Sequence, residues 1–195
     1  MTTVRNIARD VQSFTSNAFL VDGERTVLVD AGNGFDAVGR IESATGGLDA
    51  VLLTHTHPDH IGTVASVVEA FGVDVWGFDP DHELVDHALS DGGTVRAGDE
   101  SYAVLHTPGH KNDHVCFLSE GDESLFAGDL IFTNGGYGRT DLEEGDHAAL
   151  VDSVEYLRST VDGSLSTMYT GHGPTVDTDP EHHIELALQA ARMSE

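Results

Sequence analysis

Four times in this 195-residue chain, an apolar run of strand length stops at residues of metal-ligand type. Residues 49–53 run into Thr54-His55-Thr56-His57-Pro58-Asp59-His60. Residues 102–107 run into Pro108-Gly109-His110, residues 124–127 into Gly128-Asp129, and residues 165–170 into Gly171-His172. In the last three, a glycine stands directly before the ligand, where it lets backbone approach closely or take a positive φ. Imidazole and carboxylate are the ligands of hydrolytic zinc and of non-haem iron. The recurrence constrains the fold, because strand ends far apart in sequence have to supply one site.

The first stretch carries the densest signal. In an extended segment His55 and His57 project to the same side, since side chains alternate with a period of two. Asp59 continues that spacing and His60 breaks it. The stretch is suited to feed two adjacent metals, His55 and His57 to one and Asp59 and His60 to the other. Two metals need more ligands than four residues provide. His110, Asp129 and His172 raise the set to seven, and a carboxylate such as Asp129 can bridge two cations. The remaining histidines lack this context. His82, His87, His147, His182 and His183 read as surface or packing residues, and His106 as internal to a strand.

Between these points the pattern alternates strands and helices. Residues 18–22 and 26–30 read as two strands joined by a tight turn at Gly23-Glu24-Arg25. Short helices are expected near 34–44 and 81–90 and a longer one over 61–71, the last with Ile61, Val64, Val67 or Val68, and Phe71 on one face and Gly72 at its end. Further strands are expected over 73–78, 94–96, 102–107, 114–118, 124–127 and 165–170. Helices are expected over 146–159, with Asp146 as N-cap, and over 180–192. The length suits one domain, residues 1–195, built on more than one sheet with helices outside.

Charge excludes several function classes. Against 34 Asp and Glu stand only 9 Lys and Arg, a formal net charge of −25. Lys111 is the one lysine. No broad face can neutralise phosphates, so a nucleic-acid partner is not expected. Acids dispersed along the chain, with lysine almost absent, point to a salt-rich cytoplasm that screens the self-repulsion, as in a halophile. No apolar run reaches membrane-spanning length, and the first residues lack the apolar stretch of a secretory signal, so a cytoplasmic location is expected. The single Cys116 forbids an internal disulfide and, within His114-Val115-Cys116-Phe117-Leu118, reads as a buried small hydrophobe.

The segments THTHPDH, TPGH, AGD and GHG, in that order over residues 54–173, resemble the metallo-β-lactamase superfamily, and the Asn17–Gly32 strand pair resembles its usual start. The resemblance implies an α/β (α+β) chain folded as an αββα four-layer sandwich, with a dinuclear metal site at one edge. It assigns His55, His57 and His110 to one ion and Asp59, His60 and His172 to the other, with Asp129 bridging them. Two divalent ions are implied, zinc first, with iron or manganese as alternatives.

Two such cations acidify a shared water, and the resulting hydroxide attacks a carbonyl. Asp59 is the candidate catalytic residue that orients it. No Ser, Cys or Lys nucleophile is needed. Residues 107–117, TPGHKNDHVCF, resemble a segment of glyoxalase II-type thioesterases, with His110 and His114 matching and Lys111 and Asp113 standing in place of the usual Thr and Gly. Residues 132–146, FTNGGYGRTDLEEGD, resemble the GxGRTD segment of small glyoxalase II-like proteins and of persulfide dioxygenases. Arg139 is thereby a candidate anchor for a substrate carboxylate, or else a partner of Asp141, and Tyr137 a candidate pocket residue. Full glyoxalase II carries a helical C-terminal domain, whereas only 23 residues follow His172 here. The expected activity is hydrolysis of a small-molecule thioester. The alternatives are a persulfide dioxygenase with one iron on His55, His110 and Asp129, and a lactonase or other ester hydrolase on the same site.

Overall fold

A computed structural model describes residues 2–119, 121 and 123–194. The chain forms two compact units, one holding residues through Leu89 together with Thr94–Tyr102, the other holding Ser90–Gly93 and the chain from Ala103 on.

The first unit is organised by a six-stranded mixed sheet. Its strands are β1 (Thr3–Asn6), β2 (Phe19–Asp22), β3 (Val27–Val29), β4 (Ala50–Leu52), β5 (Asp74–Gly77) and β6 (His87–Ala88), in that spatial order. The first three are antiparallel, and β3 to β6 run parallel. Parallel neighbours need crossovers, supplied by α1 (Ala37–Ala44) between β3 and β4 and by α2 (Pro58–Ile61) and α3 (Val64–Phe71) between β4 and β5. Leu28, Val51 and Val75 from the sheet are buried in one cluster with Ile41 of α1 and Val64 and Val67 of α3. Truncating Ile41 to alanine would cost about 2–5 kcal/mol, the usual range for emptying such a position. β7 (Thr94–Ala97) and the opening residues of β8 (Glu100–His106) complete this unit.

In the second unit the rest of β8 is followed by β9 (Val115–Ser119), β10 (Ser124–Gly128), α4 (His147–Thr160), β11 (Thr167–Thr170) and α5 (Pro180–Met193), with a 3₁₀ turn at Thr133–Gly135. The strand order is β11-β10-β9-β8, with β10 antiparallel to β9 and parallel to β11. Leu118, Leu125 and Met168 from the strands pack with Leu150, Val154, Ile184 and Leu188 from the two helices. α4 starts where the sequence places it, the Asp146 carboxylate accepting the Ala149 N–H at 3.0 Å.

The expected strands and helices are present with ends shifted by a few residues, except at two places, and one strand is added that the sequence did not announce. Residues 81–90 are not helical. Pro80 precedes them, Asp86 exchanges hydrogen bonds with Val75 through its backbone N–H and its carboxylate, and Leu89 donates to Gly77. Pairing with β5 overrides the local helical pattern there. The helix expected over 61–71 is interrupted at Gly62 and Thr63 and starts as a separate turn, α2, because Pro58 opens a helix one residue after His57. β1 carries no clear alternation in the sequence and forms by pairing with β2.

Candidate metal centre

In the first unit, β3 and β4 lie side by side and parallel, so their ends emerge together. Asp30 follows β3 in a left-handed conformation, φ 55°, and is buried. Its carboxylate accepts the Thr54 backbone N–H and the Thr54 hydroxyl, each at 2.8 Å. The backbone N–H groups of Ala31 and Gly32 donate to the His60 carbonyl, at 2.8 and 3.0 Å. The loop from Thr54 to His60 is therefore fixed at both ends by one strand-end turn.

Those bonds also settle which ring nitrogens carry protons. The Thr54 hydroxyl gives its proton to Asp30, so at 3.1 Å from His55 Nδ1 its oxygen is the acceptor. His55 therefore holds its proton on Nδ1 and its lone pair on Nε2. His60 Nδ1 donates to Asp30 Oδ2 at 2.9 Å, leaving the His60 lone pair on Nε2 as well. His55 Nε2 lies 3.1 Å from His57 Nδ1, and the His55 and His60 rings lie 4.0 Å apart by centroid. Asp59 sits in the first turn of α2, half-buried, with its carbonyl accepting the Ser16 N–H. All four candidate ligands of this unit are thus gathered on one loop.

The second unit builds its three from separate strand ends. His110 follows β8, Asp129 follows β10 and His172 follows β11. One Asp129 oxygen, Oδ2, lies 3.4 Å from Nε2 of His110 and 3.4 Å from Nε2 of His172. That is longer than a good N–H···O bond. It is the separation expected of two atoms that ligate one tetrahedral cation at about 2.0–2.2 Å each, roughly 3.4 Å. His110 Nδ1 donates to the Arg139 carbonyl at 2.8 Å, so its Nε2 bears the lone pair. The donor set is imidazoles and a carboxylate, and the Nδ1–H groups of His55, His60 and His110 are held by oxygen partners, as metal-ligating histidines require. The residues fit divalent metal.

Backbone contacts explain the glycines. A Cβ on Gly171 would collide with the Asp129 carboxylate, and one on Gly109, whose φ is 129°, would strike the start of α4 at Leu150. Asp129 is held from behind by His114, whose Nε2 accepts the Asp129 N–H at 3.0 Å while its Nδ1 donates to Thr107 Oγ1 at 2.8 Å.

The candidate substrate residues are placed less suggestively. Arg139 is exposed and forms a two-pronged pair with Asp141, at 2.8 and 2.7 Å. The pair holds the Asp141 carboxyl down at about 2. Tyr137 is half-buried against the core of this unit, its ring 6.0 Å from that of His147. His106 donates its backbone N–H to Asp91, and His147 bonds the Ala191 carbonyl, structural roles in line with the reading of the sequence. Cys116 is buried, and burial pushes its thiol up to about 12, which removes it as a nucleophile. Asp30, Thr54, Thr107 and the Arg139 carbonyl were not singled out in the sequence. Only Asp30 left a signal there, an acid at the end of the apolar run 26–29.

Residues 12–172 match the profile of the metallo-beta-lactamase superfamily. A hydroxyacylglutathione hydrolase of Aliivibrio fischeri is 39% identical over 140 residues, covering 70% of this chain and 53% of that protein. Hydroxyacylglutathione hydrolase GloC of Haemophilus influenzae is 27% identical over 188 residues, 84% of this chain and 88% of that one. Apart from such small relatives, the chain spans about half the length of many curated relatives it matches. Among solved structures, TTHA1623 in a di-iron-bound form is 30% identical with a TM-score of 0.75, over 96% of each chain. The mixed α/β class with two mixed sheets and the metallo-β-lactamase fold are as the sequence implies.

Proposed function

The chain belongs to the metallo-β-lactamase superfamily, a metallo-hydrolase by that kinship, and from this premise we propose that it hydrolyses a thioester of a small thiol in the manner of glyoxalase II. The observation that carries the reading is the Asp129 carboxylate, one oxygen of which stands at ligand-to-ligand distance from both His110 and His172. A bridging carboxylate is what a two-metal site needs. In this reading His55, His57 and His110 hold one divalent ion, Asp59, His60 and His172 the other, and Asp129 both. Zinc is the expected ion, with iron or manganese as alternatives.

When bound, the ions supply an acidified water and a Lewis acid for the carbonyl oxygen. The chain's own residues do the rest. Asp30, the Thr54 hydroxyl and the Arg139 carbonyl keep the His60, His55 and His110 protons on Nδ1, so that Nε2 is presented as donor atom. Asp59 is the residue that accepts a hydrogen bond from the attacking water and aims it. Arg139 binds a carboxylate of the substrate by exchanging its Asp141 partner. That exchange costs little, because both side chains of the pair are about two-thirds exposed and solvent screens their attraction. Tyr137, two residues before Arg139, is the candidate pocket residue in this reading. The relatives named for glutathione thioesters support the substrate class. The acidic composition supports work in a salt-rich cytoplasm, where activity and fold should decline on dilution of salt. Among the described residues no helix is long and apolar enough to cross a membrane.

The test is turnover. Protein loaded with zinc, with iron or with manganese is assayed on a panel of S-acyl thiols, lactones and simple esters, and by oxygen uptake with a persulfide. Preferred thioester cleavage supports the proposal. Oxygen uptake with iron alone would replace it with the dioxygenase reading, and cleavage of lactones or esters alone with the third.

A further inference from the structure

The one lysine of this chain sits beside a metal ligand, and its surroundings are specific. Lys111 follows His110, and its side chain is only 12% exposed. Its ammonium lies 2.7 Å from Glu144 and 3.4 Å from Asp113, itself 5% exposed. Glu144 belongs to the irregular segment 139–146, which has neither helix nor strand to hold it. That segment nevertheless meets the loop at 109–111 three times. The Arg139 carbonyl accepts from His110 Nδ1 at 2.8 Å, the Asp146 N–H donates to the Gly109 carbonyl at 2.8 Å, and Glu144 takes Lys111. The first contact sets the His110 tautomer. The third is the ion pair between the two loops.

We propose that Lys111 is a positioning residue for His110, clamping the 139–146 segment onto the 109–113 loop so that the Arg139 carbonyl keeps its hold on the imidazole. The clamp rests on the metal-site reading above. A carbonyl on an irregular segment orients an imidazole only as well as that segment is fixed, and a wandering carbonyl releases the ring. Lysine suits the task, because its compact ammonium on a long stem reaches two carboxylates in different directions. The Lys111 end of the pair is sheltered and the Glu144 end is 40% exposed, so salt screens it less than the pair of Arg139 with Asp141, exposed at both ends. That difference matters in a chain whose charge implies a salt-rich setting. Of the two residues that depart from the glyoxalase II segment, Lys111 is the cation of the clamp and Asp113 is its second carboxylate, on the same loop.

The experiment compares wild type with Lys111→Met, Lys111→Arg and Glu144→Gln, each stripped of metal, in multimolar KCl. Zinc affinity is read by competition with a chromogenic chelator, the geometry of the site by the visible spectrum of the cobalt-loaded protein, and integrity by thermal unfolding of the metal-free form. Lys111→Met is expected to bind zinc about 10–100-fold more weakly, the range seen when a partner behind a ligand is lost. Its cobalt spectrum should shift, and Lys111→Arg should recover most of both. Glu144→Gln should weaken binding about tenfold, in the same range. Zinc affinity within twofold of wild type in both Lys111→Met and Glu144→Gln, with unchanged cobalt spectra, overturns the clamp and leaves the metal reading standing. If Lys111→Met does not fold, the half-exposed Glu144→Gln decides alone by the same criterion. Wild type that takes up no zinc or cobalt overturns the metal reading and the clamp together.

Discussion

The two units present their candidate ligands in opposite ways. The first puts His55, His57, Asp59 and His60 on one short loop, locked by the Asp30 side chain and the two backbone N–H groups that follow it. The second draws His110, Asp129 and His172 from three strand ends and locks them largely with backbone, the Arg139 carbonyl, the Asp129 N–H and the close approach of Gly171. A site on one loop can be tuned or broken through a single carboxylate. A site spread over strand ends is fixed by the sheet, and it fails where the backbone is displaced. Side-chain substitutions should therefore hurt the first set most through Asp30 and the second most through ligands and glycines.

The largest effect is expected from the proposed ligand that stands between the two histidines of the second unit. Asp129→Asn should lower activity by at least about a hundredfold, beyond what loss of an outer partner costs, with metal content falling on gel filtration. Gly171→Ala comes next. Its new methyl group displaces the Asp129 carboxylate, so metal binding should fall and chemical denaturation should show a loss of about 2–3 kcal/mol. If Gly171→Ala behaves as wild type, the backbone account of the second unit is wrong. Asp30→Asn tests the first unit. It keeps the shape but weakens the acceptor for His60 and Thr54, and zinc affinity should drop about 10–100-fold.

Arg139→Ala sharpens the contrast. It removes the side chain but not the carbonyl that holds His110, so zinc affinity should stay within about threefold while KM rises several-fold, the exposed Asp141 pair contributing little. A large loss of metal would show that the guanidinium, rather than the carbonyl, steadies the imidazole. The smallest effect is expected at Cys116. With its thiol pushed up to about 12 by burial, it carries almost no thiolate from pH 7 to 9, so iodoacetamide should label it only after unfolding.

The same contrast explains what could be read from the sequence. The first ligand set is local, and four metal-type residues after an apolar run announce themselves. The second set was legible only because three apolar runs each end in glycine and a ligand, and the resemblance to a superfamily ordered them. Asp30 was read only as the end of a strand, because its task depends on β3 and β4 lying in parallel register, which no local pattern encodes. The Arg139 carbonyl could not be seen at all, since a backbone group carries no residue signature. The helix expected over 81–90 failed for a related reason, the pairing of Asp86 and Leu89 with β5 being a long-range contact.

The central claim is that seven side chains, four from one loop and three from strand ends, hold two divalent ions. Metal content per chain by elemental analysis, on protein purified in high salt from a metal-balanced host, tests it most directly. The account predicts about two ions of zinc, iron or manganese per chain, falling to one or none in Asp129→Asn. One iron per chain with little else would contradict the two-metal site and move the chemistry to the oxygenase, and no stoichiometric metal would contradict both.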